Sequence, residues 1–380
     1  MSRYLTLQDV DVSGRSVLVR ADLNVPLGSD GSISDDFRIR SALPTLEGLV
    51  ESGARVTVCS HLGRPSAEDP RYSLEPIARY LDGLSRYYVT FGKGSAGDIR
   101  VLENTRFNPG ETENDLVYAA ELGAGHNLFV QDAFGSVHRA HASTVGVATL
   151  LRSVAGPLLD AELTAFRRFT DSPEHPYTVV LGGAKISDKL GVISNLLPKV
   201  DQMLIGGGMC FTFLAARGVN VGASMVQDDM VGTVREFLEG PYGKRIVLPT
   251  DLVASESFTA KGANRVVGIR SLTDHEIGLD IGPATANLYA DTIHRSATVF
   301  WNGPMGVFEW TPYRRGTERV AQAMATTKGY AGVGGGDSAA AIRSLGFEHQ
   351  VDHLSTGGGA SLELLEGRSL PGVEILERWA

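Results

Sequence analysis

Arginine, histidine and polar side chains follow the short apolar runs in the first 141 residues of the chain. One such residue can cap a helix or lie in a solvated loop. Four groups at equivalent positions indicate more, because converging guanidinium and imidazole groups bind a small polyanion such as a phosphorylated carboxylate. The groups are Asp22 and Asn24 after 16–19, His61 and Arg64 after 55–59, Arg106 after Leu102, and His138, Arg139 and His141 after 128–131.

Glycine supplies a different chemistry in the second half of the chain. The protein has 45 glycines in 380 residues, about 12% against an average near 7%. Many lie in clusters at 182–183, 206–208, 334–336 and 357–359, each after a short apolar run. Glycine turns at helix starts expose backbone N–H groups, which bind phosphates. The side chains of the first half of the sequence therefore predict binding of a small anion, and the glycine turns of the second half predict binding of a phosphate by backbone N–H groups.

The elements that position these residues follow from apolar runs and glycine turns. Each glycine cluster is followed by a predicted helix, and the strand, glycine turn and helix together are the repeated unit of a parallel sheet covered by helices. Ligands of such sheets bind beyond the carboxyl ends of the strands. Strands are predicted at 16–19, 55–59, 128–131, 178–181, 202–205, 330–333 and 351–355, and helices at 188–197, 210–216, 338–345 and 361–365.

The chain length predicts about two domains at roughly 100 to 200 residues each. Gly156 and Pro157 precede a helix-like run at 158–169, which is the place where we expect the domains to join. The predicted fold is therefore α/β, with two Rossmann-like domains, each a parallel sheet covered by helices, that face each other across a hinged cleft. The expected first domain is 1–156, and the second begins at 157.

Composition excludes several classes of protein and partner. Hydrophobic residues make up 43%, charged residues 21%, and the formal net charge is -9. The acidic balance disfavours nucleic acid and anionic membranes as partners, and no apolar run approaches the roughly 18 residues of a membrane helix. There is no apolar export signal, and Cys59 and Cys210 form no motif, so we expect a cytoplasmic protein without disulfides. We also expect a monomer.

Other motifs favour different chemistry but fit the chain less well. No GxxxxGK[ST] pattern occurs, which excludes a P-loop, and the HxxH spacing of His138 and His141 lacks a carboxylate ligand pattern for a metal. Ser338 lies between a strand and a helix as in a hydrolase nucleophile elbow, but the adjacent Asp352 and His353 do not suit a triad. A two-domain ligand-binding protein without chemistry is the other alternative.

Ten motifs follow one another in a fixed order from near the start of the chain to its end. They are RADLNVP at 20–26, SHLGRP at 60–65, ENTRF at 103–107, DAFG at 132–135, HRAH at 138–141, GGAKISDK at 182–189, GGGM at 206–209, WNGPMGVFEW at 301–310, GGGD at 334–337 and STGGGAS at 355–361. Any single glycine triplet would be weak evidence, whereas the ordered set makes chance negligible. With these motifs the chain resembles phosphoglycerate kinase over nearly its whole length.

The resemblance implies reversible phosphoryl transfer between 1,3-bisphosphoglycerate and ADP, giving 3-phosphoglycerate and ATP, with Mg²⁺ beside the nucleotide. It implies a return of 369–380 to the first domain, so the expected boundaries are 1–156 with 369–380 and 157–368. It implies phosphoglycerate contacts at Asp22, Asn24, Arg38, His61, Arg64, Arg106 and Arg139. The implied nucleotide contacts are Lys185, Lys189, Gly207, Gly208, Gly282, Asn302, Pro304, Glu309 (at the ribose), Gly334, Gly335, Gly336, Asp337 (at the magnesium ion), Ser338, Gly357 and Gly358.

The chemistry of this reaction explains the lack of a catalytic base. In the ATP-consuming direction the nucleophile is a carboxylate, which is ionised near neutral pH because its pKa is about 4. Charge stabilisation and positioning must then supply the catalysis, and we expect Arg38, Lys185 and Lys189 to be the catalytic residues. Departures from the family pattern are a shorter segment at 87–101, Ser338 in place of a threonine and Ala284 in place of a longer polar residue.

Overall fold

The computed structural model describes residues 4–28, 30–355 and 357–380. The chain forms two compact units, of which the first comprises Met1–Thr164 with Ser369–Ala380 and the second comprises Ala165–Arg368. The division falls inside the helix Pro157–Thr170, which begins in one unit and ends in the other. The functional boundaries at 1–156 and 157–368 and the hinged cleft stay predictions.

A six-stranded parallel sheet forms the centre of the first unit. Its strands are rich in valine and mostly buried, as expected for parallel strands with helices on both faces. The strands are β1 (Ser16–Arg20), β2 (Arg55–Cys59), β3 (Val89–Phe91), β4 (Ile99–Val101), β5 (Leu128–Gln131) and β6 (Ser153–Ala155). Their spatial order is β3-β4-β2-β1-β5-β6, with every pair parallel.

A second six-stranded parallel sheet forms the centre of the second unit, in the spatial order β15-β14-β13-β7-β8-β9. Its strands are β7 (Tyr177–Leu181), β8 (Gln202–Ile205), β9 (Ile246–Val247), β13 (Thr298–Asn302), β14 (Tyr330–Gly334) and β15 (His353–Leu354). A smaller antiparallel sheet in the order β11-β10-β12 contains β10 (Asp251–Ser255), β11 (Asn264–Gly268) and β12 (Ile277–Ile281). The predicted fold class, two parallel α/β domains, is confirmed.

Helices cover both sheets and pack buried apolar faces against them. They are α1 (Phe37–Glu51), α2 (Glu75–Leu84), α3 (Gly110–Glu113), α4 (Leu116–Gly123), α5 (Val147–Leu150), α6 (Pro157–Thr170), α7 (Leu190–Leu196), α8 (Cys210–Ala216), α9 (Val231–Glu239), α10 (Pro283–His294), α11 (Arg315–Thr326), α12 (Gly336–Ser344), α13 (Gly359–Leu365) and α14 (Pro371–Glu377). A π-helical turn spans Ala142–Gly146. The main apolar core of the first unit joins β1, β2 and α1, and that of the second joins β13, α10 and α11.

Differences from the sequence predictions lie at weakly patterned segments. The strand predicted at 351–355 contains only His353 and Leu354. Asp352 precedes it and interrupts the apolar run, and its carboxylate accepts the backbone N–H of Ala331. The helix predicted at 188–197 begins as a 3₁₀ turn, Ser187–Lys189. In the shortened segment, β3 and β4 pair in parallel although only residues 92–98 connect them. The antiparallel sheet was not predicted.

Candidate active site

Each parallel sheet has one point where its strand order reverses. In the first sheet β2 and β5 lie on opposite sides of β1, and in the second β8 and β13 lie on opposite sides of β7. Ligands of open α/β sheets bind beyond the carboxyl ends of the strands at such points. Most of the predicted site residues follow these strands or the nearby β4 and β14 in the sequence, so each unit brings most of its own set to one sheet edge.

Asp22, Asn24 and Arg38 lie together at the carboxyl end of β1. Arg38, in the first turn of α1, donates from Nη1 to Oδ1 of Asp22 at 3.3 Å and to the carbonyl oxygen of Asn24 at 2.7 Å. Oδ1 of Asn24 accepts the backbone N–H of Gly63 at 2.8 Å, which joins this loop to the loop after β2. The Arg38 side chain remains 31% exposed. It is thus fixed in direction and still open to a ligand.

Asn104 ties the loops after β2 and β4 together, and sequence reasoning did not single it out. Its Nδ2 donates to the carbonyl oxygens of Leu62 and Tyr72, and its Oδ1 accepts from the backbone N–H groups of Leu62 and Arg106. Arg106 also donates from Nη1 to the carbonyl oxygen of Gly63. The ENTRF motif was the available signal, but nothing in it indicates which distant backbone Asn104 contacts.

The remaining predicted phosphoglycerate residues surround the same edge. Arg64 is exposed and makes no hydrogen bond or ion pair to any described residue. His61 is 8% exposed and contacts Arg20. Arg139 donates from Nε to Nε2 of His138 at 3.0 Å, so this histidine nitrogen is already used by a neighbour.

Burial, and after it the repulsion between neighbouring arginines, acts on the charged groups of this cluster. Burial, followed by the charges of Arg139, Arg20 and Arg64, lowers the pKa of Arg106 to about 10. The pKa of His61 is held well below its usual value by burial and by four arginines, so its ring is neutral at physiological pH. A cluster whose charges repel each other so strongly is stabilised by a bound anion.

Asn302 organises the predicted nucleotide residues of the second unit. It is 1% exposed at the end of β13, and its Nδ2 donates to the carbonyl oxygen of Gly334 at 2.9 Å. Its Oδ1 accepts from Nζ of Lys189. The next residue, Gly303, donates its backbone N–H to Oγ of Ser338 at 2.5 Å. Residues from three separate motifs therefore meet at the carboxyl ends of β13 and β14.

Two glycines in these turns have no room for a side chain. Gly207 has φ 62°, and a Cβ there would lie 2.5 Å from the backbone nitrogen of Gly183. Gly335 has φ 91°, and a Cβ there would lie 2.8 Å from Nδ2 of Asn302. Both positions combine a left-handed backbone with close approach, which only glycine tolerates. The glycine clusters thus shape the turns themselves.

A cavity of about 530 Å³ lies beside these turns. Glycine backbone and the carboxyl groups of Asp280, Glu309 and Asp337 form its polar wall, and apolar side chains from β10, β12, α8 and neighbouring loops form the rest. Its volume and mixed lining suit a nucleotide-sized ligand. The predicted contacts that line it are Gly207, Gly208, Pro304, Glu309 and Asp337, and apolar lining residues that the sequence analysis missed are Phe211, Met225, Leu252, Phe258, Leu279 and Val307.

Apolar lining residues carry no chemical signature in a sequence, because the same residue types fill the core. Other predicted contacts do not line the cavity. Lys185 is exposed and makes no hydrogen bond to a described residue. Gly282 packs against Asp251, where a Cβ would lie 2.2 Å from its carboxyl carbon. Gly357 and Gly358 precede α13, and Thr356 of the same motif lies outside the described residues.

Ser338 does not have the setting of a hydrolase nucleophile. Its side chain is fully buried, and its Oγ accepts the backbone N–H of Gly303. A nucleophile elbow needs an exposed Oγ. The serine therefore holds the turn after β13 by this hydrogen bond, which explains why a hydroxyl follows the GGGD motif.

Asp337 suits a magnesium ion that arrives with a nucleotide. Its carboxylate is exposed in the first turn of α12 and lines the cavity. The described residues contain no group of three or more histidine, cysteine, aspartate or glutamate side chains arranged to hold a metal. Mg²⁺ is commonly held by one or two carboxylates with phosphates and waters, so a single aspartate beside a phosphate site fits this ion.

Lys189 lies in the field of this carboxylate. Burial lowers the pKa of Lys189, and the charges of Asp188, Asp337 and Glu366 oppose the shift.

In the described ranges, no helix is both long enough and apolar enough to cross a membrane.

Two parallel α/β units, one with an arginine cluster and the other with a glycine-lined cavity, indicate a two-domain kinase that acts on a small phosphorylated molecule. The model of the phosphoglycerate kinase family matches residues 7–368. The chain therefore belongs to the phosphoglycerate kinase family. Membership makes it a kinase and supports the glycolytic phosphoryl transfer as its reaction.

Individual relatives agree with this assignment over nearly the whole chain. A phosphoglycerate kinase of Rubrobacter xylanophilus is 50% identical over 98% of this chain and 97% of its own length. One from Frankia casuarinae is 51% identical over 98% and 99%. The solved phosphoglycerate kinase from Coxiella burnetii superposes with a TM-score of 0.91 at 38% identity, covering 99% of each chain. The one from Pyrococcus horikoshii gives 0.86 at 31% identity, covering 99% and 100%.

Proposed function

We propose that the protein transfers a phosphoryl group reversibly between 1,3-bisphosphoglycerate and ADP, giving 3-phosphoglycerate and ATP. The observation that carries this proposal is the arginine cluster of the first unit, in which burial and then the charges of neighbouring arginines lower the pKa of Arg106 to about 10. A ligand with both a phosphate and a carboxylate offers enough negative charge for such a cluster. Asp22, Asn24, Arg38, His61, Arg64, Arg106 and Arg139 would contact it.

The glycine turns and the cavity of the second unit would bind the nucleotide. The apolar part of the cavity suits a base, and Glu309 on its wall suits a ribose hydroxyl. The N–H groups of Gly182, Gly183 and Gly207 already bond to backbone oxygens of neighbouring loops. The backbone N–H groups that suit phosphates are therefore those at the start of α12, after β14. The roles of Lys185, Lys189 and Asn302 at the phosphates follow from their positions at these turns.

No general base takes part in the proposed reaction. The attacking carboxylate is ionised at neutral pH, since its ordinary pKa is about 4. Arg38 and Lys185 would stabilise the charge on the moving phosphoryl group, and Lys189, oriented by Asn302, would assist. Mg²⁺, when bound at Asp337 with the nucleotide, neutralises phosphate charge.

We propose that the two units close on their substrates. The proposed phosphoglycerate contacts all belong to residues 22–139 and the nucleotide contacts to residues 185–358, so each substrate binds one unit of the chain. A direct transfer requires both substrates in one closed site, and closure also excludes water that would waste ATP. We further propose a cytoplasmic monomer whose partners are small molecules.

Steady-state ATP consumption with a panel of acids tests the function. We expect turnover with 3-phosphoglycerate and at least about a hundredfold lower kcat/KM with glycerate, which lacks the phosphate that the arginines would bind. Phosphoglycolate, which keeps the phosphate and the carboxylate on a shorter chain, should give an intermediate value. Equal rates with glycerate and 3-phosphoglycerate would contradict the proposal.

A further inference from the structure

A buried pair of opposite charges lies behind the arginine cluster. Arg20 is 1% exposed and Glu111 is fully buried. Ser143, also fully buried, lies between them and hydrogen-bonds both. Charges in a protein interior persist when they are paired and fully hydrogen-bonded. The phosphoglycerate contacts proposed above include none of these three residues.

The hydrogen bonds that link Arg20, Ser143 and Glu111 each have a defined donor and acceptor. Oγ of Ser143 lies 2.6 Å from Oε1 of Glu111 and 2.9 Å from Nε of Arg20. A carboxylate only accepts and a guanidinium only donates, so the hydroxyl donates to Glu111 and accepts from Arg20. The backbone N–H of Ser143 donates to Oε2 of Glu111 at 3.0 Å. Both carboxylate oxygens hold the serine, and the serine holds Arg20.

The other end of Arg20 determines where His61 carries its proton. Nη2 of Arg20 lies 2.9 Å from Nδ1 of His61. Because a guanidinium has no acceptor, Nδ1 must accept this bond, and the single proton of the neutral ring lies on Nε2. Nη1 of Arg20 donates to the carbonyl oxygen of Ala21 at 2.7 Å, which fixes the plane of the guanidinium. The ring therefore has one tautomer and one orientation.

The Nε2–H group of His61 is left for a ligand. Among the described residues it has no hydrogen-bond partner, and the ring keeps 8% exposure. Arg38, Arg106 and Arg139 act on the ring electrostatically, so it lies within the proposed phosphoglycerate site. A neutral N–H among arginines gives a polyanion a directional hydrogen bond without adding a further mutually repelling charge.

We propose that Glu111 is a positioning residue for phosphoglycerate binding, which acts through Ser143 and Arg20 to hold His61 as the Nε2–H tautomer facing the ligand. This inference rests on the proposed function for the identity of the ligand. The tautomer itself does not depend on the ligand, so it can be tested separately.

Nitrogen NMR on protein labelled with ¹⁵N-histidine tests the tautomer directly, without substrate. The chain has nine histidines, and the His61→Asn variant assigns the His61 signals by their loss. We expect an unprotonated Nδ1 and a protonated Nε2 in the wild-type protein. A His61 that carries its proton on Nδ1, or that is doubly protonated at neutral pH, would overturn the proposal whatever the variants do.

Two variants test whether Glu111 acts on His61 through Ser143 and Arg20. Ser143→Ala removes the hydroxyl but leaves the backbone N–H that binds Glu111, and Glu111→Gln keeps the shape but removes the charge. Glu111 also lies 3.7 Å from Nδ1 of His141, so Ser143→Ala is the cleaner change. We expect either variant to produce a second His61 tautomer and to raise KM for 3-phosphoglycerate about tenfold, the equivalent of one charge-assisted hydrogen bond.

The control for these variants is Ser153→Ala. Ser153 is fully buried in β6 of the same unit and donates to the carbonyl oxygen of Leu151, away from this network. It should leave the His61 signals and both KM values unchanged, and KM for ATP should stay unchanged in all three variants. Unaltered His61 signals in Ser143→Ala and Glu111→Gln, or equal increases in both KM values, would show a structural role only. Absence of any turnover in the wild type would instead refute the proposed function.

Discussion

Arg38 and Lys185 are held in opposite ways although we propose the same role for both. Arg38 is anchored by Asp22 and the backbone of Asn24, whereas Lys185 is exposed and has no hydrogen-bond partner among the described residues. An anchored guanidinium is oriented before the substrate binds, which lowers the cost of stabilising charge during reaction. The lysine must be oriented by the phosphates themselves.

We expect Arg38→Ala and Lys185→Ala each to lower kcat by about 100-fold or more, because both charges act mainly on the transition state. The substrate dissociation constants, measured by calorimetry, should change much less. Arg40→Ala is a matched control for the first, since Arg40 lies on the same helix in an exposed pair with Asp36. Lys261→Ala, in an exposed turn of the second unit, is the control for the second. An unchanged kcat removes that residue from the mechanism.

Asp280 makes the stability of the protein depend on pH. It is 3% exposed and accepts the backbone N–H groups of Gly316 and Ile281, and burial, assisted by the charge of Glu318, raises its pKa to about 8. The folded state therefore holds a proton that the unfolded state, with an ordinary carboxyl pKa near 4, releases. This contribution to stability is complete below about pH 4 and is lost progressively as the pH rises from about 4 through 8.

Asp280→Asn should reduce this dependence, because an amide does not ionise. Between pH 5.5 and 8 the free energy of unfolding of the wild type should fall more steeply than that of the variant, by at most about 1.4 kcal/mol per pH unit for one group. Urea unfolding at several pH values measures both slopes. The variant also loses one accepted hydrogen bond, so its absolute stability is not the readout. Parallel slopes would mean that Asp280 is ionised in the folded protein.

At the scale of elements, the two proposed binding sites are built from different loops, so a substitution in one site should leave ligand binding at the other unchanged. Arg64 lies in the loop after β2 and Arg139 in the loop after β5, whereas Asp337 lies in the first turn of α12. Arg64→Ala or Arg139→Ala should weaken 3-phosphoglycerate binding by tenfold or more, as expected for a lost charge-assisted contact. Nucleotide affinity in the binary complex should remain. Asp337→Ala should weaken binding of the magnesium nucleotide instead.

Calorimetric titration of each variant with each ligand decides this point. The free energy of unfolding serves as a check that every variant is folded before titration. A crossed pattern, in which an arginine variant loses nucleotide affinity or Asp337→Ala loses phosphoglycerate affinity, would reverse the assignment of the two sites.

Strands with a strong local signal could be predicted from sequence. The runs at 55–59, 128–131 and 202–205 are apolar and end at a polar or glycine turn, and their observed bounds are identical to the predicted ones. The antiparallel β11 has no such signal, because only two of its five residues are apolar valines and the strand is mostly exposed. Its pairing with β10 depends on tertiary contacts.

The same distinction applies to the site. Arginines and glycine clusters carry their chemistry in their residue type, so the sequence analysis found them. Asn104, Glu111 and Ser143 act through contacts between loops that are far apart in the chain, and Ser143 lies 32 positions from Glu111. The apolar wall of the cavity consists of residue types that also fill the core. Only the fold distinguishes these roles.

At the scale of the whole molecule, the units have two covalent links, which are the chain from Arg368 to Ser369 and the helix α6. Its first turn is held by the loop after β5, where Oδ1 of Asp132 accepts the backbone N–H groups of Leu158 and Leu159 at 2.8 and 3.3 Å. The same loop continues to Arg139. A change in this loop on phosphoglycerate binding would therefore reach the start of the linking helix.

We expect the radius of gyration in solution to fall when both substrates are bound. Each substrate alone would contact one unit and would have little differential affinity for the closed state, whereas both together shift the population. X-ray scattering of the free protein, each binary complex and the ternary complex with a non-reactive nucleotide measures this. Equal radii in all four samples, at saturation shown by titration, would count against closure.

The return of Ser369–Ala380 to the first unit has a consequence for synthesis of the protein. Gly372 donates its backbone N–H to the carbonyl oxygen of Val137, and Nε1 of Trp379 donates to that of Ala148, 231 positions earlier. The ribosome must therefore make the whole second unit before the first has all its parts. Domains usually fold in the order of their synthesis. Here the unit that emerges first is completed last, and the α5 surface that receives α14 stays uncovered until then.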